Sequence, residues 1–391
     1  MDNSLVQKRI MLVGGAGFIG HNLALELARR GADVSIIDSL FVNSFLSLRT
    51  AQNGSSNKAL YLKILDQRMD LLEASRIPIY VQDARDYHML SPLVSRIKPQ
   101  VVIHLAAVAH ANISNKDPYS TFDHSFRTLE NMLDCSRNNV EHFIYFSSSM
   151  VYGNFEDGIV TEETPCNPLG IYGSLKLGGE LLVKGYQQVF GLPYTIVRPS
   201  ALYGERCISR RVGQIFIENA IQGRGVSING DGADRLDFTY IEDLVQGIVK
   251  VIENQNARNQ VFNLTYGNSC SLNDMAAIIQ REFPEVSVTY LPKDKLMPER
   301  GTLSVDKARR LLGYEPQWPL EKGFVKYIYW YKGFFNGGED HPQGELACGQ
   351  QVYPSKKMCG SGNSCGAKSS TCVSRAGRRR QRTSPPFSTP S

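Results

Sequence analysis

Residues 9–20 read Arg9-Ile10-Met11-Leu12-Val13-Gly14-Gly15-Ala16-Gly17-Phe18-Ile19-Gly20. An apolar run, Ile10 to Val13, stops at a cluster of glycines, and a helical pattern (Ile19, Leu23, Leu25, Leu27, Ala28) follows at once. Strand, glycine-rich turn and helix in that order are the context of a dinucleotide-binding fingerprint. Gly14 allows the tight turn off the strand. Gly17 has no side chain to hold a pyrophosphate away from the backbone. Gly20 lets the helix pack closely on the sheet. The helix N-terminus then offers free N–H groups and a positive partial charge to phosphates. A second short apolar strand, Val34-Ser35-Ile36-Ile37-Asp38, ends in an acid eighteen residues after Gly20. A carboxylate there accepts hydrogen bonds from the adenosine ribose hydroxyls and repels a 2′-phosphate, so the expected cofactor is NAD rather than NADP.

The rest of the chain agrees with a dinucleotide-binding core. Val101-Val102-Ile103-His104 and Phe143-Ile144-Tyr145-Phe146 read as buried strands separated by a helical segment at 119–138. Ile77 to Val81 is a further strand, and Asp83 follows it at the carboxyl edge, where an adenine would rest. Small residues after His104 (Leu105-Ala106-Ala107) let the backbone approach a cofactor. Between Asp38 and Ile77 the stripe Leu60, Ile64, Leu65, Met69, Leu72 predicts an inserted helix over 58–75. Strand–helix alternation predicts a right-handed, doubly wound parallel α/β sheet. After the strand Tyr194 to Arg198 the alternation weakens. Short strands (including 261–264), a helix over 244–253 capped by Asp243, one over 271–282 capped by Ser271 and one near 320–331 predict a smaller mixed α/β, substrate-binding part. The expected division is 1–200 for cofactor and catalysis, 201–335 mostly for substrate, and 336–391 as a disordered tail.

Charge and cysteine usage support that division. The chain has 391 residues and a formal net charge of +5. Residues 336–391 hold eight Lys/Arg and three Asp/Glu, a surplus of five, so the body is neutral and gives no sign of nucleic-acid binding. Four cysteines lie in the tail without the close pairs of a zinc site, and no metal is expected; the other four (Cys135, Cys166, Cys207, Cys270) read as free thiols. Met1 to Arg9 is polar and no apolar run is long enough for a bilayer, so no membrane association is expected and the predicted location is cytoplasmic.

Chemistry concentrates in Tyr172-x-x-x-Lys176 and the serine run Ser147-Ser148-Ser149. Positions i and i+4 share a helix face, so Tyr172 and Lys176 point into one cleft. A tyrosine titrates near pH ~10 and is a poor base at neutrality. A neighbouring ammonium and an oxidised nicotinamide ring stabilise its phenolate. The phenolate can then take a proton from a sugar hydroxyl while hydride leaves the same carbon. Ser148, at a strand end, orients that hydroxyl.

These motifs, with His104-Leu105-Ala106-Ala107 and Ser147 to Gly153, closely resemble the extended short-chain dehydrogenase/reductases, and within them the NAD-dependent nucleotide-sugar epimerase/dehydratase family, over residues 9–331. The resemblance implies a Rossmann sheet and a nucleotide-diphosphate sugar as substrate. It implies oxidation at C4 by NAD retained through the cycle, with later reduction of the 4-keto sugar. It also implies a homodimer built on helices near 119–138 and 172–190. By position it assigns Gly14, Gly17, Phe18, Ile19, Asp38, Asp83, Ala84, Leu105, Ala106 and Ala107, with Tyr172 and Lys176, to the cofactor. Ser148, Tyr172 and Lys176 are the catalytic set. Arg300 matches a diphosphate-binding arginine, and Ser304 a position beside the sugar's C2 group, where a small residue admits an N-acetyl substituent.

Several positions depart from the pattern. Ser149 and Met150 stand where the dehydratases carry Asp-Glu, so elimination lacks its acid and base. His124 replaces an Asn, and Ala201 replaces an Asn facing the diphosphate. Arg235 is the candidate for the substrate's phosphate contact, but it comes one residue early, and one residue in a strand turns a side chain to the other face. The expected activity is 4-epimerisation of a UDP-hexose or UDP-N-acetylhexosamine. The alternatives are an atypical dehydratase, a UDP-glucuronate decarboxylase, or a non-catalytic NAD-binding scaffold docking through its basic tail.

Overall fold

Seven parallel strands form the central sheet: β1 (Arg9–Val13), β2 (Asp33–Asp38), β3 (Ile79–Val81), β4 (Val101–His104), β5 (His142–Phe146), β6 (Tyr194–Arg198) and β7 (Gln260–Asn263). Their spatial order is β7-β6-β5-β4-β1-β2-β3, so the order reverses at β1, beside β4. Ligands in such sheets bind at the carboxyl ends near that reversal. The computed structural model describes residues 4–41, 44–45, 48, 57–108, 111–156, 158–292 and 298–335. The expected tail, 336–391, lies outside the described residues, which make one compact unit.

The strands read as unbroken apolar runs because both sheet faces are covered. Side chains alternate across the pleat. Ile10, Leu12, Ile36, Ile103 and Ile144 join one core with Leu23 and Leu27 of helix α1 (Phe18–Arg29) and with Leu244 and Ile248. Met11, Val13, Ile37, Val102 and Phe143 join the other with Leu90, Leu129, Leu133 and Val183. The inserted helix exists as α2 (Lys58–Ala74), and the helix that carries Tyr172 and Lys176 is α3 (Gly170–Phe190), ended by Gly191 at φ 70°. Among the described residues no helix is long and apolar enough to cross a membrane.

Four local expectations change. The 261–264 strand is not part of a separate small domain: it is β7, in register with β6 (Asn263 opposite Arg198). Asp243 is not an N-cap. Its helix starts at Ile241, and its carboxylate accepts from the Gln317 and Trp318 N–H groups at 2.7 and 3.0 Å, fixing the approach to the last helix. The helix expected at 119–138 is broken into Pro118–Phe122, a π turn at Asp123–Arg127 and Thr128–Ser136. Ser271, by contrast, caps its helix as expected, in a capping box with Asp274. Gly20 also serves a different neighbour. A Cβ there would lie 2.5 Å from Gly15 Cα, so Gly20 packs on the loop; Gly15 is the residue pressed on the sheet, where an added Cβ would lie 2.8 Å from the Ile36 side chain.

Beyond β6 the chain makes two-stranded pieces. One matters for the site: Thr302–Leu303 runs parallel to Ile159–Val160. Gly301 permits it, because a Cβ there would meet the Gly158 carbonyl oxygen at 2.0 Å. The Phe155 N–H donates to Glu299 O at 3.0 Å and the Thr302 N–H to Gly158 O at 2.8 Å. Arg300 is thereby held against the segment that follows β5.

Candidate active site

The glycine loop sits at the carboxyl end of β1. Gly14 has φ +78°, and a Cβ there would come within 2.7 Å of the Ala106 nitrogen. Only glycine allows the loops after β1 and β4 to approach this closely. Gly17 is the N-cap of α1 and offers no side-chain acceptor, so the first N–H groups, through Phe18 and Ile19, keep their capacity for a ligand. Asp38 is buried beside this loop. One carboxylate oxygen accepts from the Ala16 N–H at 3.0 Å, the other from the Leu40 N–H at 2.8 Å. Burial pushes its pKa up, against those two bonds and the nearby Arg68. Each oxygen retains a second lone pair for a donor such as a ribose hydroxyl.

Further along the edge, a surface hollow is lined by Ser39, Leu40, Phe41, Ser44, Val81, Gln82 and Asp83. Asp83 is held by Arg85, whose guanidinium also pairs with Asp123 at 2.7 Å. Ala84 is buried, and its carbonyl accepts from Asn131 at 2.9 Å. Leu105 donates its N–H to Val13 O at 2.8 Å, which fixes the 105–107 turn beside the glycine loop. His124, in the π turn, stacks on Phe41 at 4.7 Å between ring centres. This constellation fits a dinucleotide: a loop closed only by glycine, an uncapped helix N-terminus and a buried acid at the next strand's end.

Lys176 lies on the same face of α3 as Tyr172, one turn on. It is buried and donates to Phe146 O at 2.7 Å, which ties α3 to the end of β5. Desolvation lowers its pKa to about 8, opposed by the carboxylate of Glu180. Tyr172 is half-buried. Ser148 is buried, and its hydroxyl accepts from the Met150 N–H at 3.2 Å, capping the single 3-10 turn Ser149–Val151.

A second layer lies beneath, which the motifs alone did not reveal. Glu180 pairs with Arg198 through two bonds, at 2.9 and 2.7 Å, with the side chains 0 % and 4 % exposed. Ser147 donates to the same carboxylate at 2.5 Å, and Arg198 donates to the Tyr152 hydroxyl at 2.9 Å. Glu180 is four residues after Lys176, so helical spacing from Tyr172 would have pointed to it.

Arg300 comes to the serine segment after β5 as well. It donates to Met150 Sδ at 2.8 Å, to Ser200 Oγ at 3.1 Å and to Ser149 Oγ. Two other sequence candidates have their polar groups engaged elsewhere. Arg235 is exposed, and its guanidinium bonds Ser269 Oγ at 3.0 Å and the Ser269 carbonyl. The Ser304 hydroxyl donates to Asp306 at 2.9 Å, at the start of the helix Asp306–Leu312.

The sequence profile of the NAD dependent epimerase/dehydratase family matches residues 10–265, well over half of the chain. The chain belongs to this family. Its cofactor is accordingly NAD. An uncharacterised UDP-glucose epimerase of Bacillus subtilis is 29 % identical over 336 residues, covering 84 % of this chain and 99 % of the relative. A UDP-glucuronate 4-epimerase of Arabidopsis thaliana is 26 % identical, covering 84 % and 78 %. The crystal structure of the Bacillus cereus UDP-glucuronic acid 4-epimerase, in complex with UDP-glucuronic acid and NAD, superimposes with a TM-score of 0.73 at 26 % identity, covering 83 % of this chain and 98 % of that one. Within the epimerase/dehydratase family, Asp38 should set cofactor choice. NAD(H) is expected to bind more than about tenfold more tightly than NADP(H), a difference above ~1.4 kcal/mol. Titration of both cofactors checks this, and equal affinities would remove the role given to Asp38.

Proposed function

We propose that the protein is a nucleotide-sugar 4-epimerase acting on a UDP-hexose, with Tyr172, Lys176 and Ser148 as its catalytic residues. The observation that carries this reading is the catalytic segment itself. Helical spacing puts Tyr172 and Lys176 on one face of α3, Lys176 is anchored to the end of β5, and Ser148 follows that strand. Tyr172 takes the proton of the C4 hydroxyl and later returns it. Lys176 holds positive charge beside the phenolate, and Ser148 orients the oxygen. NAD, held at the glycine loop and Asp38, would supply the hydride acceptor and donor for C4.

Elimination is disfavoured because positions 149 and 150 offer a hydroxyl and a thioether where a dehydratase needs an acid and a base. The UDP-sugar 4-epimerases among the relatives support the same choice. We assign the remaining cofactor contacts to Gly14, Gly17, Phe18, Ile19 and the 105–107 turn at the glycine loop, and to Asp83 and Ala84 further along the sheet edge. A homodimer through α3 and the helices before β5 is part of the proposal; Leu181, Val189 and Tyr119 leave 62 %, 73 % and 85 % of their surface exposed there.

The test is incubation of the purified protein with a panel of UDP-sugars, followed by mass and NMR analysis. The expected product has the substrate's mass and an inverted C4. Loss of water or of carbon dioxide would overturn the epimerase assignment.

A further inference from the structure

The Lys176 ammonium is buried against β5 with few partners for its charge. Among the described residues its one hydrogen bond goes to Phe146 O, at 2.7 Å. Two of its three N–H donors are left over. Glu180, one turn further along α3, lies within electrostatic reach. Its carboxylate, however, is already claimed by both bonds from Arg198 and by the Ser147 hydroxyl. What lies against the ammonium is the ring of Tyr145: Lys176 Nζ stands over it, 5.2 Å from the centroid. The negative face of an aromatic ring attracts a cation at that range, and more strongly where water is excluded. Tyr145 is buried on β5, one residue before the Phe146 carbonyl, so one short stretch of strand presents both contacts.

The ring is itself fixed. His104, at the end of β4, stacks on it with centroids 6.3 Å apart and planes at 29°. Burial, with Lys176 nearby, lowers the His104 pKa to about 3, so its imidazole is neutral and brings no charge to the ammonium. On the α3 side, a Cβ at Gly179 would lie 2.3 Å from Tyr145 Oη, so a glycine there is what makes room for the phenol beneath the helix. The groups around Lys176 are thus Tyr145 from β5, neutral His104 from β4, and Tyr172 and Glu180 one turn to either side on α3. We propose that Tyr145 is a positioning residue: its ring face holds the Lys176 ammonium in place and charged, where it can stabilise the Tyr172 phenolate. Tyr145 acts through Lys176. The inference therefore rests on the catalytic placement of Tyr172 and Lys176 proposed above.

The test reads the charge of Lys176 directly. NAD-loaded protein carries isotope-labelled lysine, and the Lys176 ε-carbon resonance, identified by its loss in Lys176→Met, is followed against pH by NMR. The variants are Tyr145→Phe, Tyr145→Leu, and a series in which phenylalanines with increasing numbers of ring fluorines replace Tyr145. Fluorine drains the ring face of negative charge and nearly preserves its shape. Tyr145→Phe keeps the ring and should titrate close to the wild type. The fluorinated rings should move the Lys176 midpoint to lower pH step by step. Tyr145→Leu should move it by about one pH unit, a roughly tenfold loss of proton affinity, within the worth of a desolvated cation–π contact. The alkaline decline in turnover should move the same way. A merely structural role would not follow the fluorine series, which also serves if the leucine variant does not fold. A midpoint that ignores fluorination would overturn the inference. So would a Tyr145→Phe shift as large as that of Tyr145→Leu. Failure of the epimerase reading looks different: the fluorine series still moves Lys176, which upholds the ring's hold on it, but no UDP-sugar is inverted at C4.

Discussion

Tyr172→Phe is expected to lower turnover by roughly 10²-fold or more, the usual worth of a positioned acid–base group. The substitution keeps the ring and removes only the ionisable oxygen. Cofactor binding should persist, because the glycine loop and Asp38 are untouched. Turnover measured with saturating sugar, beside an NAD titration of the same variant, separates chemistry from binding. Near-normal turnover would sink the mechanism. The Lys176 pKa of about 8 adds a direction in pH. Below that value the ammonium is present and favours the phenolate; above it the charge is lost, so turnover should decline on the alkaline side.

Glu180→Leu is expected to cost about 3–5 kcal/mol of folding stability, the range for removing one partner of a buried ion pair. The loss is large because Arg198 cannot turn to water: it is buried and wedged between Tyr152 and α3. Ser147 would lose its acceptor as well. Adding Arg198→Leu to Glu180→Leu should recover part of the stability, since the stranded charge is then gone. Urea unfolding of the single and double variants checks both statements. A cost below about 1 kcal/mol for Glu180→Leu would mean that the pair is dispensable.

What could be read from sequence was local. The glycine turn, Asp38 at the next strand's end and the Tyr172–Lys176 spacing lie within a few residues or one supersecondary unit, where spacing fixes geometry. Helix α2 was legible because its apolar stripe survives in an otherwise polar insertion. What was not legible depends on tertiary contact. Arg300 meets Ser149 across 151 positions, and only the pairing of Thr302–Leu303 with Ile159–Val160 puts them together. The strand at 260–263 reads as part of a minor domain because the alternation before it is irregular; its partner, β6, is about 65 residues upstream, with Gln260 opposite Thr195. Arg235 was placed by an offset in a strand, and the structure shows its guanidinium spent on Ser269. Asp243 reads as a cap by composition, but two backbone N–H groups 74 and 75 residues away claim its carboxylate.

The strand pair that delivers Arg300 also sets an order of assembly. The ribosome makes the glycine loop, β5 and α3 first, and Arg300 more than a hundred residues later. At roughly 5–20 residues per second, the gap lasts on the order of ten seconds. Through that interval the nascent chain holds the dinucleotide loop and the Tyr172–Lys176 segment but not the Arg300 guanidinium, and β7 is added only in its last third. The pairing of Thr302–Leu303 with Ile159–Val160 can therefore close only when the last quarter of the chain has emerged.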